Sequence, residues 1–308
     1  VIQILNLVKR FADVTAVNRI SFDVAAGDIF GFIGPNGAGK TTTIRIIATL
    51  LDLSAGDVRV DGHSVISEPE KVRRVIGYMP DLFGVYERLT VWEYLDFFAH
   101  SYGLAPAERR RTVDGVMELT DLTAVRDRPA GGLSKGMRQR LCLAKTLVHD
   151  PKVLVLDEPA SGLDPRARIE FRELLRTLRE MGKTILLSSH ILTELSDVCN
   201  AVAILERGAL VASGNIEEIR RRVGRTSSWK LEVLGGADPA ARLLEPMAGV
   251  GRVACVDGQV TFELEGEREQ VAEIVRRLVA ADVRLVGCQE VKTDLEGLFM
   301  RLTRGEVM

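Results

Sequence analysis

The chain is poor in the residues that staple or metallate a fold. Four cysteines, at 142, 199, 255 and 288, are too few for a disulfide scaffold in 308 residues, and their spacing matches no metal site. They are expected to be reduced and mostly buried, as in a cytosolic protein. The four histidines, at 63, 100, 149 and 190, lie too far apart to suggest a metal cluster. No apolar run approaches the roughly 18–20 residues of a membrane-spanning helix. Residues 1–9 read as a strand, not as a basic region leading into an apolar signal core, so no secretory signal is expected. Excess charge is lacking too: 41 basic and 43 acidic residues give a net charge of −2. That balance offers no support for a broad nucleic-acid footprint, and no nucleic-acid partner is expected. What is present, 46% hydrophobic and 27% charged residues, is ordinary for a folded protein and excludes a mostly disordered one.

The N-terminal two-thirds alternates strand-like and helix-like stretches, the pattern of an α/β fold. Short apolar runs at 29–33, 153–156 and 185–189 have the look of buried parallel strands. Residues 83–149 read as largely helical. Asp164 followed by Pro165 is a cap-and-first-turn pair for a helix over 166–181. A small, polar stretch at 224–228 reads as a linker. Beyond it the order is strand 229–234, helix 239–246, strand 251–256, an Asp257-Gly258 turn, strand 259–264, helix 267–280, strand 283–291 and helix 295–303. That is the β-α-β-β-α-β, ferredoxin-like arrangement plus a final helix. Two domains are therefore expected, 1–224 with a helical subdomain at about 83–149, and an α+β domain at 225–308.

Gly34-Pro35-Asn36-Gly37-Ala38-Gly39-Lys40-Thr41 matches G-x-x-x-x-G-K-S/T between an expected strand and an expected helix. Its glycines let backbone N–H groups converge on phosphate oxygens, and the helix N-terminus adds positive potential. Lys40 would reach the β- and γ-phosphates, the Thr41 hydroxyl would bind Mg²⁺, and the nucleotide loop extends through Thr42. The apolar run 153–156 ends in Asp157 and Glu158. A parallel strand delivers such acids to the edge of the sheet where ligands bind. Neighbouring strand residues point to opposite sides, so two roles are natural: Asp157 toward Mg²⁺, Glu158 toward the attacking water.

Further motifs carry a resemblance. Leu133-Ser134-Lys135-Gly136-Met137-Arg138-Gln139-Arg140, ahead of the acidic strand, resembles the signature of ABC transporter ATPases. Ser161-Gly162-Leu163-Asp164-Pro165 is similar to their D-loop, and His190 after Leu186-Leu187-Ser188-Ser189 to their switch histidine. Five motifs stand in the family order across residues 1 to about 223. The resemblance implies ATP and Mg²⁺ as ligands and catalysis by Glu158, His190 and Lys40. It implies that Ser134, Lys135 and Gly136 contact the γ-phosphate held by a second subunit in a head-to-tail dimer, taken here as a homodimer. It also implies separate transmembrane permease subunits, and places Phe11 where the family stacks an aromatic ring on adenine.

Two departures stand out. Asp81 follows Tyr78-Met79-Pro80 where the family usually has glutamine, and Lys135 stands where the signature usually has glycine. Asp81 can accept hydrogen bonds or bind Mg²⁺, but donates no amide proton; it is expected near Mg²⁺ or near the transmembrane partner. Both departures resemble the subgroup serving ABC-2-type exporters, as does Leu295-Glu296-Gly297-Leu298-Phe299-Met300-Arg301-Leu302-Thr303 near the C-terminus. The expectation is a bacterial exporter ATPase, peripheral on the inner face of the cell membrane. An importer ATPase with a substrate-sensing tail, or a non-transport ATPase acting on ribosomes or DNA, is the alternative.

Overall fold

Three fully buried strands organise the first part of the chain. β3 (Ile29–Ile33), β7 (Val153–Leu156) and β8 (Thr184–Ser189) are buried at every position. Strands covered on both faces lose the usual apolar–polar alternation, and their apolar runs favour the centre of a parallel sheet. The computed structural model describes residues 1–82, 84–191, 198–223, 226–256, 259–265 and 268–291. In it these strands occupy the middle of a six-stranded sheet of order β10-β9-β3-β8-β7-β6. β6 (Ile76–Met79), β7, β8, β3 and β9 (Ala201–Glu206) run parallel, and β10 (Ala209–Asn215) pairs antiparallel on the edge. All the parallel strands therefore end on one side, the geometry that collects functional residues there.

A second, antiparallel sheet has the order β2-β1-β4-β5, built from β1 (Ile2–Phe11), β2 (Val14–Val24), β4 (Ala55–Val60) and β5 (His63–Ser64). Its inner face meets the first sheet through Phe22, whose ring lies 5.4 Å from those of Phe30 and Phe32. Register shifts in the β1–β2 pairing interrupt strict alternation, and β1 runs on to Phe11, two residues past the expected end at residue 9. A short helix that the sequence did not suggest, α2 (Pro69–Val75), follows α1 (Lys40–Ile47) and buries only Val72, too little to make a periodic pattern.

The helical stretch resolves into α3 (Val91–Ser101), α4 (Pro106–Leu119) and α5 (Lys135–Leu147). α3 starts on a capping box in which Thr90 and Glu93 satisfy each other's backbone N–H groups. α5 begins at Lys135 because Ser134 caps it, accepting from the Met137 N–H at 3.3 Å. α6 (Pro165–Glu180) starts as expected: Asp164 accepts from the Ala167 N–H at 2.9 Å, and Pro165 fills the first turn. Phe171, Leu175 and Leu178 form its buried stripe.

The chain divides into two compact units, Val1–Ile216 and Glu217–Met308, with α7 (Ile216–Val223) at the division. The second unit carries an antiparallel sheet of order β12-β13-β11-β14. Its strands are β11 (Thr226–Leu234), β12 (Val250–Val256), β13 (Gln259–Glu265) and β14 (Arg284–Val291). α8 (Asp238–Leu244) and α9 (Arg268–Ala280) complete the β-α-β-β-α-β succession. Leu231, Val260, Phe262 and Leu264 of the sheet pack with Leu244, Ile274 and Leu278 of the helices. The expected helix 295–303 and the Asp257-Gly258 turn lie outside the described residues.

Leu186, fully buried in β8 between β3 and β7, tests the parallel core. Leu186→Ala is expected to destabilise the first unit by about 2–5 kcal/mol, read as a lowered urea midpoint.

Candidate nucleotide-binding site

The loop 34–39 leaves the end of β3 and turns into α1. Gly39, the residue before the helix, has φ +101°, and a Cβ there would come within 2.5 Å of the Ala16 carbonyl oxygen. Only glycine meets both conditions, and the loop is drawn tightly against β2 as a result. Lys40 is 6% exposed, and its ammonium donates to the carbonyls of Gly34 at 2.8 Å and Pro35 at 3.2 Å. The same nitrogen lies 3.4 Å from Glu158 Oε1.

Asp157, at the end of β7, is 1% exposed. Thr41 Oγ1 and Ser188 Oγ donate to its Oδ1 at 3.3 and 2.7 Å. Burial pushes the Asp157 carboxyl above the usual carboxylate range; the two hydroxyls oppose that shift, and the nearby charges of Asp81 and Glu158 add to it. Among the described residues no cationic side chain pairs with Asp157. A buried carboxylate with hydroxyl neighbours and no counter-charge suits a hard divalent cation, so Asp157 and Thr41 fit Mg²⁺.

Glu158 adopts φ +48°, a left-handed conformation unusual for a side chain of this type. Its N–H donates to Ser188 Oγ at 2.9 Å. Its Oε2 accepts from His190 Nδ1 at 2.8 Å, which sets the proton of that imidazole on Nδ1. Lys40, Glu158 and His190 thus form a chain of contacts beside the Asp157–Thr41 pair. They line a cavity of about 360 Å³ with Asn36, Thr42 and Asp81.

Other expected residues lie elsewhere. Ser134, Lys135 and Gly136 line a separate cavity of about 400 Å³ shared with Asp164. Phe11 is 45% exposed, with the Lys9 ammonium 4.9 Å above its ring, and Ala16 rather than Phe11 is among the residues lining the Lys40 cavity. Sequence reasoning assigned no role to Ser188 or Gln139. Ser188 joins Asp157 to the Glu158 backbone, and Gln139, buried in α5, donates its amide to the Pro159 carbonyl. A hydroxyl following the apolar run 185–187 of a buried strand was the available signal for the first.

A glycine loop clasping a buried lysine, beside a strand-end aspartate and glutamate, defines a P-loop nucleotide-binding protein. The ABC transporter family model matches residues 17–161. The Nod factor export ATP-binding protein I of Ralstonia nicotianae is 38% identical over 311 residues, covering 100% of this chain and 95% of that protein. The linearmycin resistance ATP-binding protein LnrL of Bacillus subtilis is 30% identical over 304 residues, covering 98% of each. A solved ATP-binding subunit of an ABC transporter, 32% identical, aligns with a TM-score of 0.66 over 72% of this chain and 93% of that one. The dimeric cassette MJ0796 bound to ADP and Pi, 23% identical, shares the fold at a TM-score of 0.64 over 70% of this chain and 99% of its own. The chain belongs to the ABC transporter ATP-binding subunits and carries an ABC ATPase domain. Among the described residues no helix is long and apolar enough to cross a membrane.

Ser188→Ala removes one donor from Asp157 and leaves the Glu158 N–H without its acceptor. A hydrogen bond to a charged group contributes about 1.5–3 kcal/mol. ATP turnover is expected to fall by roughly tenfold or more, with the Mg²⁺ requirement moved to higher concentration, in a titration of rate against Mg²⁺.

Proposed function

We propose that this chain is the ATP-hydrolysing subunit of a bacterial exporter, acting at the inner face of the cell membrane with separate permease subunits. The observation that carries the catalytic reading is the Glu158 carboxylate, held between Lys40 and His190 next to a buried aspartate. Export is supported by the two relatives whose names specify export and resistance.

In this reading the amides of the loop 34–42 and Lys40 bind the phosphates, and binding draws Lys40 from the carbonyls it now contacts. Asp157 and Thr41 are the residues that would hold Mg²⁺, which would supply positive charge against the terminal phosphates, and Asp81 lines the same cavity. Glu158 orients the attacking water and takes its proton. His190 fixes one oxygen of that carboxylate, so the other faces the water. Catalysis here is mainly positioning and charge stabilisation. Phe11 supplies a stacking surface for adenine at the edge of the site.

The dimer is supported by the separation of the two cavities. Among the described residues Ser134 and Gly136 line one cavity and Lys40 another, so in this reading the signature residues meet a γ-phosphate when a second copy brings them to it. Closure on ATP and opening after hydrolysis would then drive the permease. The second unit is an accessory domain in this arrangement.

Glu158→Gln is expected to keep ATP binding, lose most turnover and accumulate as an ATP-bound dimer in light scattering. Lys40→Ala should lose nucleotide affinity instead. A Glu158→Gln protein that hydrolyses ATP at the parent rate would remove Glu158 as the base.

A further inference from the structure

One imidazole joins three elements where the helical stretch meets the parallel sheet. His149 stands just past the end of α5, and its Nε2 lies 2.8 Å from the Ile76 carbonyl oxygen at the start of β6. A carbonyl can only accept, so the proton sits on Nε2 and Nδ1 carries a lone pair. Tyr102, the residue that closes α3, stacks on the same ring, with centroids 3.9 Å apart and planes 11° from parallel. The sheet side is tight as well. A Cβ on Gly77, next in β6, would come within 2.5 Å of the Thr146 carbonyl oxygen in the last turn of α5. β6 leads on through Met79 and Pro80 to Asp81 in the nucleotide cavity.

Nδ1 is buried and has no hydrogen-bond partner among the described residues. A second proton would therefore place an N–H, and a charge, where no acceptor is offered. Burial pushes the His149 imidazole below its ordinary range, and the bond to Ile76 opposes that shift. Two charges of opposite sign reach the ring. One is Asp150, next in the chain; the other is Lys183, which pairs with Asp150 and donates to the Pro151 carbonyl at 2.8 Å. On α3 the titratable group is the Tyr102 hydroxyl, pushed up by burial. β6 presents Ile76 and Gly77, neither titratable, and Lys145 of α5 is turned to the Phe98 ring, 5.2 Å away.

We propose that His149 is a pH-sensitive joint: its neutral imidazole holds the ends of α3 and α5 on β6, and its protonation releases them. An imidazolium satisfies Nδ1 only by turning it to water, which takes Nε2 off the Ile76 carbonyl and the ring out of the stack. The strand that leads to Asp81 and the helix that starts at Ser134 thus share a support that weakens in acid. The open form binds the proton and the closed form resists it. Opening therefore grows as pH falls from the ordinary imidazole value toward the lowered one, and is independent of pH above both.

The test follows hydrogen–deuterium exchange of the full chain from about pH 8 to about pH 5, corrected for the intrinsic pH dependence of exchange. Amides 102–104, which close α3, and amides 76–79 of β6 are the readout. They are expected to open by up to about tenfold more for each pH unit below the ordinary imidazole value, while α6 stays protected. His149→Gln, which keeps an amide donor for Ile76 and takes up no proton, should hold both segments at one level of opening across the range. His149→Phe, which keeps a ring for Tyr102 and has no donor, should exchange fast at every pH. Opening in the parent that does not change with pH overturns the proposal, as does a His149→Gln protein that keeps the parent's pH dependence. Loss of protection in α6 at the same pH and with the same slope is global unfolding, and overturns it too.

Discussion

The Asp157 carboxylate is buried at the end of an all-apolar strand, with two hydroxyls and, among the described residues, no cation to compensate it. Burial of an acid in such a place is unfavourable for the ionised form, and the parallel sheet around it enforces the burial. The site follows from that constraint. Thr41 belongs to the helix after the phosphate loop and Ser188 to β8, so two strand ends and a helix start converge on one oxygen. Ser188 then receives the Glu158 N–H, tying the glutamate to the same point in its left-handed conformation.

Parallel topology makes this convergence possible. β3, β7 and β8 deliver Gly34, Asp157 and Ser189 to one edge of the sheet, and β6 brings Asp81 there through Met79 and Pro80. The Asp157 N–H donates to the Met79 carbonyl at 2.8 Å, which keeps the β6 and β7 ends in register beyond the strands. Gln139, reaching from α5 to the Pro159 carbonyl, links the helical segment to the loop that follows Glu158. The ATPase chemistry and the signature helix are thereby coupled through a side-chain amide in a buried position.

The phosphate loop and the acidic pair were legible because their chemistry is local. Eight consecutive residues define the loop, and four apolar residues followed by Asp157 and Glu158 define the strand end. The βαββαβ succession of the second unit was legible from local pattern too, most clearly where Gln259–Glu265 alternates between buried and half-buried positions. What the sequence did not display depends on contacts across long separations. Ser188 on Asp157 and Gln139 on Pro159 are set by packing, and no spacing rule announces them. Phe11 illustrates the converse, since its place in the motif order says nothing of the Lys9 ammonium above its ring. The extent of β1 was hidden by its register shifts, and α2 by having a single buried residue.

Raising the Asp157 carboxyl above its unfolded value means that the folded protein binds the proton more tightly than the unfolded chain. Stability of the ligand-free protein therefore declines as pH rises from the ordinary carboxylate range through the raised value, and the penalty is fully present above it. Asparagine keeps an oxygen for Thr41 and Ser188 and carries no charge to desolvate. The most direct measurement is the thermal midpoint of Asp157→Asn at neutral pH, with and without Mg²⁺ and ATP. The account predicts a ligand-free midpoint above that of the parent, together with loss of the additional stabilisation by Mg²⁺. A ligand-free variant less stable than the parent, still stabilised by Mg²⁺ to the parent's extent, would contradict it.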